Sequence, residues 1–445
     1  MPSTLTALCA MLAASVSFQA QSPPAVDTPL VITNVNVLPM DRDRVLRAQS
    51  VVVERGVITR IGPAGAVTVP AGARTIDGAG KYLMPGLVDV HVHLHGNPED
   101  QQRQLLKLFL VNGVTRVVNL RGTPQILDLR TAVNSGRVLG PRLYTVGPYV
   151  NEPFVTSPED VERAVVEQKR AGYDFIKLHG SLSRDAYHRL NEVARREGIR
   201  VIGHAPRNLG LEAMFAERQY MIAHAEEFLY DTLNRSTDSS LAGVAAKLAE
   251  WGRATAAARI WLTPNLTAYK AIARQVGDLD AMLARPEMRY LPRANQVGWG
   301  PATNPYTNRI PKFRAPSIMA RYHLLEKLVA TFQRAGVRML VGTDAMNTGV
   351  IPGFSAHDEL ADLVTAGLTP FEALRAATAN AAEFLAEPGD RGTVAAGQKA
   401  DLLLVDANPL EDIANSRRIA GVMLRGHWIA REDLTAMLEE LTAQP

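Results

Sequence analysis

Apolar and polar positions change their spacing twice along the chain. Residues 29–85 alternate short apolar runs with Gly, Pro, Asn and Asp, a pattern typical of β-strands joined by turns. The same pattern returns only in residues 390–432. Between these two segments, residues 86–389 alternate short apolar runs with amphipathic stretches, which predicts parallel strands connected by helices.

Eight strands are predicted within residues 86–389. Their sequences are LVDVHVH (87–93), TRVVNL (115–120), RLYTVG (142–147), DFIKLH (174–179), RVIGHA (200–205), MIAHAE (221–226), RIWLTP (259–264) and RMLVGTD (338–344). Helix N-terminal signatures at Ser157-Pro158 and Thr369-Pro370 support the helices between and after them. Eight such units over about 300 residues predict an α/β fold of the (β/α)8 TIM barrel type, with the chemistry at the C-terminal ends of the strands.

Composition limits the kinds of partner and the cellular location. The 445 residues include 48 basic and 45 acidic side chains without a long basic run, so nucleic acid is not an expected partner. The single cysteine, Cys9, excludes an internal disulfide and a cysteine-built metal site. It lies in an apolar stretch typical of a secretory signal. Residues 1–20 are therefore predicted to be a signal peptide cleaved near Ala20, which implies a periplasmic or secreted protein, and a plain N-terminal tail is the alternative.

No other apolar run reaches the ~18 residues that a membrane-spanning helix needs, so no membrane span is expected. Residues 433–445 are predicted to form a C-terminal helix or tail. The oligomeric state stays open, and a homo-oligomer is compatible with the sequence.

Potential metal ligands stand at the ends of five predicted strands. Taken singly, each has a structural explanation, such as a hydrogen-bonded histidine, a turn-forming aspartate or a lysine that reaches solvent. Together they fall at one end of the predicted barrel, which favours a metal site over six separate structural roles. The six residues are His91, His93, Lys177, His204, His224 and Asp344.

Several motifs resemble the amidohydrolase superfamily of metal-dependent hydrolases. They are PGLVDVHVHLHG (85–96), GTDA (342–345), GLTPFEALRAATANAAEFLA (367–386) and GTVAAGQKADLLLVDANPLEDI (392–413). The resemblance implies that residues 29–85 and 390–432 combine into a small β-sandwich beside a barrel formed by residues 86–389.

In the binuclear branch of this superfamily, a strand-four lysine carboxylated by CO2 bridges two metal ions, and Lys177 in YDFIKLHG matches that lysine. An ammonium group cannot ligate a cation, whereas a carbamate offers two anionic oxygens. Burial lowers the pKa of a lysine and leaves a neutral amine that can add CO2. The resemblance implies that His91, His93, Lys177 and Asp344 hold one divalent ion, and that Lys177, His204 and His224 hold the other. Zn²⁺ is the expected ion, with manganese, cobalt and iron as alternatives.

The resemblance also implies a reaction. A water bridging the two metals would attack a polarised carbonyl carbon, with Asp344 as the general base and then the general acid. The strand-four pattern is similar to prolidase-like dipeptidases, N-acyl amino acid hydrolases, ochratoxin-degrading amidases and imidazolonepropionase. We therefore expect cleavage of an amide or peptide C–N bond. Strand five continues APRNLG (205–210), which departs from the prolidase-like pattern, so the substrate contacts of those enzymes are not carried over to this chain.

Substrate contacts are predicted at four further positions, which are His95, His179, Tyr230 and His357. The long connection over residues 290–316 is predicted to be a lid that contacts an apolar side chain, and a surface insertion is the alternative. It carries Tyr290, Trp299, Tyr306 and Phe313. A substrate carboxylate is expected to pair with Arg289, Arg293 or Arg309.

Other activities remain compatible with parts of the sequence. A cyclic amide or lactone hydrolase would use the same attack by water. A heterocycle deaminase would use the HxxE pattern at 224–227, but such enzymes hold one metal and lack the strand-four lysine, so Lys177 argues against them. A non-catalytic barrel is the least favoured alternative, because the whole ligand set is present.

Overall fold

The computed structural model describes residues 28–94, 96–235 and 241–442. The predicted signal peptide and His95 lie outside the described residues. The strands are β1 Leu30–Val37, β2 Leu46–Glu54, β3 Val57–Pro63, β4 Arg74–Asp77, β5 Tyr82–Pro85, β6 Leu87–Val92, β7 Val114–Asn119, β8 Arg142–Thr145, β9 Phe175–Leu178, β10 Arg200–Gly203, β11 Met221–Ala223, β12 Trp261–Thr263, β13 Arg338–Met339, β14 Leu402–Val405, β15 Ile419–Leu424 and β16 His427–Ala430.

Helices connect most of these strands. They are α1 Glu99–Val111, α2 Pro124–Asn134, α3 Pro158–Ala171, α4 Arg184–Arg196, α5 Leu211–Glu217, α6 Glu226–Arg235, α7 Leu241–Ala257, α8 Leu266–Gly277, α9 Leu279–Leu283, α10 Arg293–Gly298, α11 Ala315–Arg334, α12 Phe354–Thr365, α13 Pro370–Ala376, α14 Ala379–Phe384 and α15 Arg431–Thr442. The predicted starts of α3 and α13 are confirmed, since Ser157 and Thr369 each form a capping box. Within the described residues, no helix combines the length and apolar character needed to cross a bilayer.

Strands from both ends of the chain share one sheet. Its order is β16-β15-β14-β5-β1-β2-β3, and β4 pairs with β1. The junction between the two chain ends is the antiparallel pair β14–β5, in which Leu402 lies opposite Pro85 and Val405 opposite Tyr82. The alternating pattern that the sequence shows in two distant segments therefore belongs to a single hydrogen-bonded sheet.

The middle of the chain is a mixed α/β region with two parallel sheets, ordered β6-β7-β8 and β13-β12-β11-β10-β9. Each of the eight segments predicted as strands overlaps one of these strands. Strands β6 and β7 are buried along their whole length, as expected for parallel strands covered on both faces. Because all eight strands run in parallel within their sheets, the residues that follow them lie at the carboxyl edges.

Candidate metal centre

A pocket of about 410 Å³ lies at the carboxyl ends of the parallel strands. It contains all six predicted metal ligands, contributed by β6, β9, the ends of β10 and β11, and the segment after β13. The pocket is lined by His91, His93, Arg121, Tyr149, Lys177, His179, His204, His224, Glu226, Ala268, Tyr269, Ile272, Tyr306, Asp344, Met346 and Asn347.

The first group of predicted ligands comes from β6, from the residue after β6 and from the turn after β13. His91 and His93 are two residues apart, so their side chains leave the same face of the chain. Their Nε2 atoms lie 3.2 and 2.8 Å from one oxygen of Asp344, Oδ1. Burial alone raises the pKa of Asp344, but the two neighbouring histidines outweigh it and hold the pKa of that carboxyl well below its usual range. Three donor groups thus converge within 4.8 Å of one another.

Asp89 fixes the position of this first group. Its carboxylate accepts hydrogen bonds from the Thr343 hydroxyl at 2.6 Å, the Thr343 amide at 3.0 Å and the His91 amide at 3.2 Å. It is fully buried, and burial raises the pKa of the carboxyl to about 7. These bonds join β6 to the residue before Asp344. Asp89 is not among the residues predicted for the site, although an acidic residue inside an apolar strand is a signal that could have identified it.

The second group of ligands surrounds Lys177. The rings of His204 and His224 lie 4.8 Å apart, and His224 lies at the same distance from His91. Lys177 is fully buried in β9, and burial lowers its pKa to about 8. Among the residues that the structure describes, its Nζ has no hydrogen-bond partner. Gly203 on the neighbouring strand β10 leaves room for the Lys177 side chain, because a Cβ at this position would lie 2.7 Å from the Lys177 Cδ atom.

Two consecutive acids at the start of α6 contact this second group. Glu227 Oε1 lies 2.5 Å from His204 Nδ1, so it orients the ring and leaves the other nitrogen for the pocket. Glu226 lines the pocket, with Oε1 at 3.7 Å from His224 Nδ1. Burial raises the pKa of Glu226 to about 8 and that of Glu227 to about 7. In the sequence these residues suggest only the HxxE pattern of deaminases, which does not predict the contact between Glu227 and His204.

The donor set fits a divalent metal. Imidazole and carboxylate groups are ligands that zinc and related ions accept. Burial lowers the pKa of His91 and His204 well below the usual value and that of His224 to about 4. These rings are therefore held neutral, which is the form that binds metal. The buried Lys177 Nζ, which has no partner in the described chain, fits the same interpretation once it carries an anionic group.

Of the predicted substrate contacts, His179 lies in the pocket. Its ring stacks on Tyr149 at 4.6 Å and meets His204 edge-on at 4.7 Å. Tyr230 does not line this pocket but borders a neighbouring cavity that also includes Glu227. Tyr230 therefore shares a cavity wall with Glu227 and not with the six predicted metal ligands.

His357 is not brought to the pocket. Its Nδ1 lies 2.9 Å from the Ser416 hydroxyl and its Nε2 lies 3.0 Å from the Asn112 carbonyl oxygen. The ring is almost fully buried, and both nitrogens are used inside the protein. This corrects the expectation that His357 contacts substrate, because an enclosed ring with no remaining donor or acceptor cannot reach a ligand.

The predicted lid reaches the pocket through Tyr306. The Tyr306 hydroxyl donates to Asn347 Oδ1 at 2.9 Å, and Asn347 Nδ2 lies 3.3 Å from Asp344 Oδ2. The other three aromatic residues do not line the pocket: Trp299 is buried, Phe313 is exposed and Tyr290 stacks on Phe354.

None of the three arginines expected to bind a carboxylate lines the pocket. Arg289, Arg293 and Arg309 all lie elsewhere, and Arg121 is the arginine that the described pocket contains. Arg289, Arg293 and Arg309 were expected because they lie in or next to the long connection, whereas Arg121 follows β7 and no sequence signal marks it.

Comparison with known proteins identifies the family. A sequence model of the amidohydrolase family matches residues 82–429. The chain belongs to the amidohydrolase family. This confirms the resemblance seen in the sequence motifs, and it supports a hydrolase that acts on C–N bonds.

Individual relatives share less than a third of their residues with this chain. The chain is 27% identical over 386 residues to an uncharacterized protein of Mycobacterium tuberculosis, covering 80% of this chain and 87% of that protein. Its structure is similar to that of bottromycin amidohydrolase, with a TM-score of 0.74, 24% identity, and coverage of 93% and 90% of the two chains. A Xaa-Pro dipeptidase with bound methionine gives a TM-score of 0.69 at 19% identity, with coverage of 91% and 100%. At these identities the structural similarity concerns the fold alone.

Proposed function

We propose that this protein is a metal-dependent amidohydrolase that cleaves the C–N bond of a dipeptide or an N-acyl amino acid, including ochratoxin-like amides. The observation that carries the proposal is the convergence of the six potential ligands around Lys177, a buried amine without a hydrogen-bond partner in the described chain. A buried amine in this situation is costly unless it serves the site.

We also propose that the two parallel sheets form one (β/α)8 barrel. Two isolated parallel bridges support this closure, since Val146 pairs with Phe175 and Val92 pairs with Ala345. Backbone bonds from Asp344 N to the His91 oxygen at 2.7 Å and from His93 N to the Ala345 oxygen at 2.9 Å act at the same junction. They bring the ligands of β6 beside Asp344.

The ligands divide into two sets that share Lys177. In the proposal, His91, His93, Lys177 and Asp344 hold one divalent ion, and Lys177, His204 and His224 hold the other. When bound, such ions supply Lewis acidity and lower the pKa of water. Burial lowers the pKa of Lys177 to about 8, so a useful share of the amine is neutral near neutral pH. Its nitrogen forms a bond to the carbon of CO2, one proton is released, and an anionic carbamate remains.

The chain's own residues then have separate tasks. Asp344 accepts the proton of the attacking water and delivers it to the leaving nitrogen. Asn347, which Tyr306 contacts, lies beside the second oxygen of Asp344 and helps to orient it. Glu227 keeps His204 in one orientation. Each of these contacts fixes a geometry before substrate arrives, which reduces the reorganisation needed for reaction.

The pocket walls support an amide with an apolar part. Tyr149, Tyr269, Ile272, Tyr306 and Met346 give it apolar surface beside the ligands. A volume of about 410 Å³ is in the range of small-molecule sites. The names of two structural neighbours, a Xaa-Pro dipeptidase and bottromycin amidohydrolase, agree with an amide or peptide substrate.

Metal analysis combined with a substrate screen tests the proposal. The screen contains dipeptides, N-acyl amino acids, lactones and cyclic ureas. We expect two divalent ions per chain and hydrolysis of linear amides that have an apolar or aromatic C-terminal residue. A protein that binds no metal and cleaves no amide would refute the proposal, and turnover confined to lactones or cyclic ureas would refute the substrate class.

A further inference from the structure

Glu226 lines the pocket, but neither of the two proposed sets of metal ligands includes it. It is the first residue of α6 and follows His224 by two positions. Backbone bonds from His224 N to the Thr263 oxygen at 2.9 Å and from Ala225 N to the Pro264 oxygen at 3.0 Å anchor this turn to the end of β12. The turn therefore holds the Glu226 side chain at the wall of the pocket, where it is only 18% exposed.

The Glu226 carboxyl has no cationic partner among the described residues that line the pocket. Its Oε2 atom is buried and has no hydrogen-bond partner among the described residues. The charged groups that act most on it are Glu227 and Asp344, both acidic. Within the described part of the pocket, the basic side chains are Arg121 and Lys177, and neither forms an ion pair with Glu226. A buried carboxylate with acidic neighbours is costly unless a cation from elsewhere pairs with it.

Aromatic side chains border the same part of the pocket. Tyr269 and Tyr306 line the pocket together with Glu226. Burial raises the pKa of Tyr306 to about 12, so its ring stays neutral. A carboxylate beside neutral tyrosine rings is the environment that binds an organic ammonium group, through an ion pair and the ring faces.

We propose that Glu226 binds a protonated amine of the substrate and so makes the enzyme select dipeptides with a free N-terminus over N-acyl amino acids. This rests on the proposed amide hydrolysis and narrows its substrate class. The two classes share the scissile amide and the C-terminal carboxylate, and they differ in the ammonium group. A carboxylate at the pocket wall attracts the ammonium group of a dipeptide, and an N-acyl amino acid has no such group.

The other explanation for Glu226 is that it orients His224. Oε1 lies 3.7 Å from His224 Nδ1, which is beyond hydrogen-bond distance, whereas the Glu227–His204 contact is 2.5 Å. Glu226 therefore does not repeat the role of Glu227. Metal content separates the two explanations, because an orienting residue affects the ion and a substrate-binding residue does not.

The test uses two substrates that differ in one group. Ala-Phe carries an ammonium group where isobutyryl-Phe carries a methyl group of similar size. For the metal-loaded full-length enzyme, we expect kcat/KM for Ala-Phe to exceed that for isobutyryl-Phe by about 10- to 100-fold. Glu226→Gln should reduce this ratio at least about tenfold while keeping the wild-type metal content. Glu226→Asp, which keeps the charge, should retain more of the preference than Glu226→Gln.

Glu159→Gln is the matched control, because Glu159 also lies in the first turn of a helix but is exposed and distant from the pocket. It should keep the wild-type ratio. Equal hydrolysis of the two substrates by the wild type would overturn the inference, as would an unchanged ratio in Glu226→Gln or a loss of metal in that variant. Hydrolysis of neither these nor any other amide would instead refute the proposed function itself.

Discussion

Buried histidines occur in two very different surroundings in this protein. His357 lies between α1 and the C-terminal segment, and each of its ring nitrogens has a partner, Ser416 or Asn112. In the pocket, the nitrogens of His91 and His93 converge on one oxygen of Asp344. Burial depresses the pKa of His357 and of His91 alike.

The difference is in the partners and not in the burial. A buried polar group normally finds its hydrogen bonds within the protein, and His357 does. The pocket histidines instead bring several donor atoms together with a lysine that lacks a partner in the described chain. We infer that His357 contributes to stability, whereas the pocket histidines are arranged for a cation. Each of the following variants tests one side of this contrast.

Asp344→Asn should have the largest effect on function. It removes the charge that both β6 histidines face and the group assigned to proton transfer. We expect kcat/KM for a cleaved amide to fall by about 10³-fold or more. Asp185→Asn, an exposed carboxylate in the first turn of α4, is the control and should keep wild-type kinetics. Comparable activity in the two variants would show that Asp344 has no part in the reaction.

Glu227→Gln should have an intermediate effect, confined to the second group of ligands. The substitution weakens the charge-assisted contact that orients His204. We expect the affinity for the ion that His204 and His224 would hold to fall about 10- to 100-fold, measured by competition with a chelator. Glu217→Gln is a matched control, since Glu217 contacts the exposed His188 at 2.6 Å on the surface. Equal metal affinity in both variants would contradict the positioning role of Glu227.

His357→Gln should have the smallest effect on function, and its metal content and kcat/KM should stay within about twofold of wild type. It should instead change the pH dependence of the unfolding free energy. The folded-state pKa of His357 is about 4, below the value of 6.5 in the unfolded chain. The unfolded chain therefore gains a proton as pH falls below about 6.5, and stability is lost between about pH 6.5 and 4. This one group accounts for about 2 kcal/mol of that loss by pH 5.

Chemical denaturation at pH 7.5 and pH 5 measures this contribution. The wild type should lose more unfolding free energy over this interval than His357→Gln, because the variant lacks the titrating ring. Identical pH dependence in the two proteins, or loss of metal from His357→Gln, would remove the contrast between the two histidine environments.

The sequence was sufficient where the determinant is local. Period-two spacing predicted that His91 and His93 share a face, and Ser-Pro and Thr-Pro signatures predicted the starts of α3 and α13. Ligands at strand ends were predictable because parallel strands bring their carboxyl ends to one edge.

Contacts between distant segments were not predictable in this way. Asp89 meets Thr343 across 254 residues, and His357 meets Asn112 across 245. A polar residue in a helix, such as His357, looks the same in sequence whether its partners are a substrate or the protein. The sequence of the long connection over residues 290–316 showed its aromatic residues, but only the folded path of this connection places Tyr306 at the pocket and leaves Phe313 exposed.

We propose that Lys177 carries a CO2-derived carboxyl group, which would be a ligand for both of the proposed ions. ¹³C NMR of the metal-loaded protein, equilibrated with ¹³C-labelled bicarbonate, tests it directly. Lys177→Met serves as the reference because it keeps a side chain of similar volume in the same buried position. We predict a slowly exchanging carbamate carbon signal in the wild type that is missing from Lys177→Met. The same spectrum from both proteins would contradict the claim.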